Sequence, residues 1–89
     1  MKTPDRETVL QTAEVLRACA EKNKISMSAD QRVSEADAAT LLCMSRDSLK
    51  NLRQEGGAPA SYRASVGGCR ISYRLYDLAA WIEGRREDW

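Results

Sequence analysis

Paired glycines divide this sequence into a helical part and a strand-like part. Four of its five glycines fall in two pairs, Gly56-Gly57 and Gly67-Gly68. The first pair, followed by Pro59, ends a helical pattern, because glycine adopts the left-handed conformation found after helices and proline prevents the helix from resuming. The second pair lies between two strand-like runs, which is typical of a tight β-turn. The chain of 89 residues therefore predicts one small domain, with helices before the first pair and a hairpin after it.

Two short helices are predicted before the first glycine pair. Ser34, with Asp37 three residues later, resembles a capping box at the start of a helix over Glu35–Leu42. Ser45 caps a second helix, which ends near Glu55. The connection between them is very short, and the small residues of the first helix allow the second to approach closely.

A β-hairpin is predicted from Tyr62 to Tyr73, with Gly67-Gly68 as its turn. After the turn, apolar residues alternate with the polar residues Arg70, Ser72 and Arg74. One face is therefore expected to be apolar and to rest on the helices, and the other to be polar and basic. A final helix is predicted over Tyr76–Gly84, followed by a frayed tail over residues 85–89.

An amphipathic helix is predicted at the start of the chain, from about Thr3, its N-cap, to Asn23. Its narrow apolar stripe consists of Val9, Ala13, Leu16 and Ala20. Such a stripe either packs on its own domain or pairs two protomers. Residues 24–31 are polar and predict a linker, with one short extended piece around Ile25–Met27.

The composition argues against the common catalytic and metal-binding arrangements. The chain has no histidine, which excludes Ser-His-Asp and Cys-His machinery. Three widely spaced cysteines, Cys19, Cys43 and Cys69, cannot build a four-ligand zinc site. They are expected to be reduced thiols that act as small apolar residues. We therefore expect no enzyme activity, no metal and no cofactor.

Positive charge is concentrated between Ser45 and Arg74, although the net charge of the whole chain is only +1. This stretch carries six basic and two acidic side chains, or +4, which leaves −3 for the remainder. A basic segment in an otherwise acidic chain suits contact with a polyanion.

The N-terminal residues and the apolar runs of the chain bear on the cellular compartment of the protein. The N-terminal residues are polar and do not resemble a secretory signal. No apolar run approaches the roughly 20 residues that span a bilayer. We therefore expect a cytoplasmic protein without a membrane partner.

The order of these elements resembles a known DNA-binding family. The matching segments are Val33–Leu42, Met44–Leu49, Glu55–Pro59, Gly67–Arg70 and Asp77–Ile82. In this order and spacing, residues 32–83 resemble the MerR-like winged helix-turn-helix of phage and prophage excisionases and AlpA-like regulators. The resemblance implies a mainly α-helical fold with a small β-hairpin. A winged helix-turn-helix would occupy residues 32–84, preceded by the helix and linker of residues 1–31.

The resemblance also implies that the second helix enters the major groove, while the hairpin wing contacts the backbone or minor groove. Leu49 and Leu52 are expected to face inward and to leave a polar outer face. The candidate DNA-binding residues are Ser45, Arg46, Asp47, Lys50, Asn51, Arg53, Gln54, Arg63, Arg70 and Arg74.

Different roles are expected within this set. Arg46 suits guanine and Asn51 suits adenine, whereas Lys50 and Arg53 suit phosphates. Asp47 either accepts from cytosine N4 or weakens phosphate binding.

Other residues near the wing have structural alternatives. Arg63 and Arg74 either contact DNA or pair with Asp77 or Glu83. Tyr73 and Trp81 are expected in the core rather than stacked on bases.

These features predict a protein that binds duplex DNA sequence-specifically, as a transcription regulator or an excisionase-type architectural factor of a phage or mobile element. One alternative is a protein–protein adaptor that uses the winged helix and the N-terminal helix. Another is the DNA-recognition part of a phage packaging terminase. Because one small domain buries little surface on DNA, a homodimer, cooperative assembly or a recombinase or polymerase partner is expected to strengthen binding.

Overall fold

Residues 4–87 are described by the computed structural model, and they form four helices and two short strands. The helices are α1 (Arg6–Lys22), α2 (Glu35–Leu41), α3 (Arg46–Glu55) and α4 (Leu75–Gly84). The strands are β1 (Arg32–Ser34) and β2 (Ser72–Arg74). The expectation of a mainly helical fold with a small antiparallel β element is confirmed. Within residues 4–87, no helix combines the length and apolar character needed to cross a membrane.

The sheet pairs segments that the sequence analysis did not pair. β1 is antiparallel to β2, with Val33 opposite Tyr73. No strand is predicted from the sequence for residues 32–34, and β2 is predicted only as one arm of a hairpin, so this pairing corrects the prediction. Ser72, expected on a polar face, is fully buried. Its hydroxyl accepts a hydrogen bond from Arg32 Nη1 at 2.9 Å, which satisfies the polar group in the interior.

The predicted tight turn is present at Gly67-Gly68. Val66 and Cys69 exchange two backbone hydrogen bonds, at 3.2 and 3.1 Å. The glycine φ angles are 59° and 81°, and positive φ at both central residues is the geometry of a type I′ turn. This turn matches the right-handed twist of paired strands, so it joins the two arms without splaying them.

The two arms of this segment, here named the Gly-Gly hairpin (residues 62–72), are paired at only two places. Beyond the turn, Tyr62 and Ser72 form a second bridge. Between the bridges, residues 63–65 face residues 70–71, so the first arm contains a bulge. The predicted continuous hairpin is therefore shorter and less regular than expected. Arg32 Nη1 donates to the carbonyl oxygen of Ala64 at 3.2 Å and fastens the bulge to β1.

Local capping signals fix the ends of α2 and α3. The Ser34 hydroxyl accepts the backbone N–H of Asp37 at 3.2 Å, and the Ser45 hydroxyl accepts that of Ser48 at 3.1 Å. Both predicted N-caps are confirmed. α3 ends at Gly56, whose φ of 85° is the left-handed conformation expected after a helix.

α1 packs on its own chain through the predicted stripe. Its buried residues Val9, Leu16 and Ala20 lie on the face toward the core, and α1 lies mainly against α4. Of the two alternatives for this stripe, the structure shows the intramolecular one. The core cluster comprises Val9, Leu16, Val33, Ala38, Ala39, Leu49, Tyr73, Leu75, Leu78 and Ala79.

Some element boundaries differ from prediction. α1 begins after Asp5, which is its N-cap residue, and the predicted cap Thr3 lies outside the described residues. The extended piece expected around Ile25–Met27 is not a strand. α4 begins one residue before Tyr76. Residues 85–87 follow α4 without regular secondary structure, and the last two residues of the predicted tail lie outside the described range.

Candidate nucleic-acid interface

α3 presents a continuous polar face to solvent. Leu49 is fully buried and Leu52 is partly buried, so these two residues face the interior as predicted. The exposed side chains of the helix include Arg46, Asp47, Lys50, Asn51 and Gln54. Ser45 is also exposed and serves as the N-cap of the helix. Guanidinium, ammonium and amide groups are thus available on one helix.

The short connection between α2 and α3 determines how this face is presented. Cys43 has a left-handed φ of 59°, which reverses the chain sharply after α2. The backbone N–H of Met44 then donates to the carbonyl oxygen of Ala39 at 3.0 Å. α2 packs directly on α3, so the inner side of α3 is covered and its polar side remains open.

Arginines from α3 and from the Gly-Gly hairpin line one cleft of about 540 Å³. Its lining residues are Arg53, Arg63, Ser65, Arg70 and Ile71. Arg63 and Arg70 are exposed, and neither forms an ion pair within residues 4–87. These two hairpin arginines, which lack a carboxylate partner among residues 4–87, give the cleft a local positive potential.

Arg53 is held differently from the two hairpin arginines. Its Nε donates to Glu35 Oε2 at 2.7 Å, and its Nη2 donates to Oε1 at 3.3 Å. The Tyr73 hydroxyl donates to the same Oε2 at 2.8 Å. Glu35 is only 3% exposed. The residue predicted for a phosphate is thus one half of a largely buried ion pair.

Electrostatics in this cluster favour the ionised carboxylate and the protonated phenol. Burial raises the pKa of Glu35, but the hydrogen bonds from Arg53 and Tyr73 outweigh it and hold the pKa below its ordinary value. Burial, followed by the hydrogen bond to Glu35, raises the pKa of Tyr73 well above its ordinary range. Tyr73 therefore remains a donor, and its complete burial confirms its predicted place in the core.

Arg74 also forms an intrachain ion pair, with a partner that the sequence analysis did not consider. Its Nη2 donates to Asp30 Oδ2 at 3.0 Å, and its guanidinium lies 5.1 Å from the centre of the Tyr62 ring. Arg32 pairs with the same carboxylate and lies 5.8 Å from the same ring. This cluster joins the loop before β1 to β2 and to the Gly-Gly hairpin.

Most of the predicted DNA-binding side chains lie on α3 or on the Gly-Gly hairpin. Arg63 and Arg70 share the cleft with Arg53, whereas Arg74 is paired with Asp30.

The chain matches no protein-family model, no curated protein and no solved structure. Within residues 4–87, no group of three carboxylate, thiol or imidazole side chains is arranged to hold a metal ion.

Trp81 and two cysteines occupy places that the sequence indicated only in part. Trp81 is partly buried; its Nε1 donates to the carbonyl oxygen of Gly57 at 2.8 Å, and Arg85 lies 4.2 Å from its ring centre. It thereby fastens the chain after α3 to α4. Cys19 and Cys43, expected as reduced thiols that act as small apolar residues, are free thiols that lie exposed. The spacing of these residues in the sequence does not show whether their side chains are buried or exposed, because that depends on the elements that pack around them.

Glu35 is the residue of this region that sequence reasoning missed. It follows the cap Ser34, in the first turn of α2, where an acidic side chain is favourable for the helix dipole. The helix dipole alone therefore accounts for an acidic residue at this position, without any partner elsewhere in the chain. Its partners Arg53 and Tyr73 are 18 and 38 residues away in sequence, so no local signal connects them.

Proposed function

We propose that this protein binds duplex DNA sequence-specifically, with α3 in the major groove and the Gly-Gly hairpin on the adjacent backbone or minor groove. The observation that supports the proposal most is the shared cleft, in which Arg63 and Arg70 of the hairpin lie beside α3 and form no ion pair with any described residue. Two elements that present cations together can contact neighbouring phosphates while the helix reads base edges. The α2–α3 pair then acts as a helix-turn-helix and the hairpin as its wing.

The dimensions and chemistry of α3 suit this role. Its 10 residues extend over about 15 Å, and a helix fits the major groove, which is about 12 Å wide. Arg46, in the first turn, suits guanine, and Asn51, on the exposed face, suits adenine. Lys50 offers an ammonium group to a phosphate. The biological role that follows is transcription regulation or the architectural part of an excision complex.

Charge-matched variants test the proposal. A duplex selected in vitro with the wild-type protein is titrated over a range of salt concentrations and compared with a scrambled duplex. We expect affinity to fall steeply with salt because phosphate contacts release counterions. Arg46→Ala should reduce the preference for the selected duplex, whereas Lys50→Ala should weaken both duplexes and lower the salt slope by about 1.

Lys22→Ala, at the exposed end of α1, is the control for the loss of one ammonium group and should leave binding unchanged. Absence of wild-type binding to any duplex at low salt would contradict the proposed function. Wild-type behaviour of both the Arg46 and Lys50 variants would contradict the assignment of α3 as the reading helix.

A further inference from the structure

One carboxylate joins three elements beside the proposed DNA-binding face. Glu35 begins α2, Arg53 lies in the last turn of α3, and Tyr73 lies in β2. Glu35 Oε2 accepts from both partners, at 2.7 and 2.8 Å, and Oε1 accepts a second bond from Arg53. The position of α3 is therefore linked to α2 and to the strand that continues from the hairpin.

The geometry of this link restricts rotation of α3 about its own axis. Leu49 lies one turn before Arg53 and is fully buried, so both residues attach the same side of the helix. An apolar contact is non-directional and allows a helix to roll. A planar guanidinium that donates two hydrogen bonds to one carboxylate does not allow the helix to roll, because both donor N–H groups must stay in the plane of the carboxylate.

We propose that Glu35 is a positioning residue for the DNA-reading face of α3, acting through Arg53, and that Arg53 is held for this task rather than for a phosphate. This inference rests on the proposed function. The remaining cations of the cleft, Arg63 and Arg70, are left for the DNA backbone.

Two substitutions with the same change in charge separate positioning from general electrostatics. Glu35→Gln and Glu55→Gln each remove one negative charge, and Glu55 is exposed at the end of α3. General electrostatics predicts that both variants bind DNA more tightly. Positioning predicts that Glu35→Gln loses about tenfold in the ratio of affinities for selected and scrambled duplexes, the loss that one misread base pair causes. Glu55→Gln should keep the wild-type ratio.

Arg53→Lys provides a second test that preserves charge. Lysine binds a phosphate as a point charge but cannot form the two-donor contact with Glu35. We expect this variant to lose the duplex preference as Glu35→Gln does. Both variants are measured at a temperature at which circular dichroism shows them folded, so that lost stability does not contribute to the ratio.

The outcomes distinguish this inference from the function on which it rests. Unchanged ratios in both variants, with normal wild-type binding, would overturn the positioning role and leave the proposed function standing. If the wild-type protein binds no duplex, the proposed function fails. Amide NMR spectra of the free proteins then test whether Glu35 holds the position of α3 through Arg53. Shifts along all of α3 in Glu35→Gln, but only near residue 55 in Glu55→Gln, would support the link. Shifts confined to the first turn of α2 would refute it.

Discussion

The carboxylate of Glu35 keeps its charge at lower pH in the folded protein than in the unfolded chain. Burial opposes ionisation, but hydrogen bonds from Arg53 and Tyr73 more than compensate, so the folded pKa lies below the ordinary value of 4.5. The unfolded chain therefore binds this proton more readily as the pH falls. The resulting stability is fully present above pH 4.5 and is lost as the pH falls through the folded pKa.

Glu35→Gln is accordingly expected to flatten the acid side of the stability curve. Thermal unfolding followed by circular dichroism between neutral and acidic pH measures this directly. The variant should be less stable than wild type near neutral pH, and the difference should shrink below pH 4.5. Glu55→Gln is the control, and curves for Glu35→Gln that run parallel to wild type at all pH values would contradict the expectation. Part of the acid slope should persist, because hydrogen bonds from Arg32 first, then Ser28 and Arg74, also lower the pKa of Asp30.

Single residues were predictable where their surroundings are local. Ser34 and Ser45 were identified as caps because the cap and its partner lie within one turn. Tyr73 was assigned to the core from alternation, but its hydroxyl contact with Glu35 was not foreseen. The sequence did not reveal that Arg53 pairs with Glu35 or that Arg74 pairs with Asp30, because each carboxylate is distant from its arginine in the chain.

At the scale of elements, the Gly-Gly turn offers a test at one position. Gly67 has a φ of 59°, and a side chain there would meet nothing within 4 Å, so backbone conformation alone decides the effect. Asparagine favours this turn type, and we expect Gly67→Asn to change the free energy of unfolding by less than about 0.5 kcal/mol. Gly67→Val should cost about 1–2 kcal/mol because a β-branched residue resists positive φ.

Urea denaturation measures both variants. Equal stability of the two would contradict the type I′ assignment. Under the proposed function, the valine variant should also bind DNA less well than the asparagine variant at constant folded fraction, because Arg70, which follows the turn, lines the cleft.

The helices were more predictable than the strands for a physical reason. α2 and α3 carry caps and periodic apolar residues along their own length, and their starts agree with the sequence analysis. β1 has only three residues, too few for an alternating pattern to be detected. Its stability depends on a partner beyond α3, so the strand is visible only once the tertiary contacts are known.

At the scale of the whole molecule, α1 contributes to the single core. Leu16 is 8% exposed and belongs to the core cluster, whereas Leu10, on the same helix, is 48% exposed. We expect Leu16→Ala to lower the free energy of unfolding by about 3 kcal/mol, because it leaves a cavity and removes apolar burial. Leu10→Ala is the matched control and should change it by less than about 0.5 kcal/mol.

Chemical denaturation of the complete chain compares the two alanine variants. A large effect of Leu10→Ala together with a small effect of Leu16→Ala would show that α1 packs by its other face. The amphipathic stripe of α1 was readable in the sequence, but its placement against α4 was not, because a stripe of small apolar residues fits many partners.

The pairing of β1 with β2 closes residues 35–71 into a loop, with α2, α3 and most of the Gly-Gly hairpin between its ends. Closing this loop costs conformational entropy, and folding incurs that cost before the sheet contributes any stability. This cost rises only with the logarithm of loop length, so that even a doubling adds about 0.6 kcal/mol. The tip of the hairpin, open to solvent at Gly67-Gly68, is therefore a place where the chain can be lengthened at small entropic cost. The reach of the hairpin can then change while the α2–α3 pair keeps its framework.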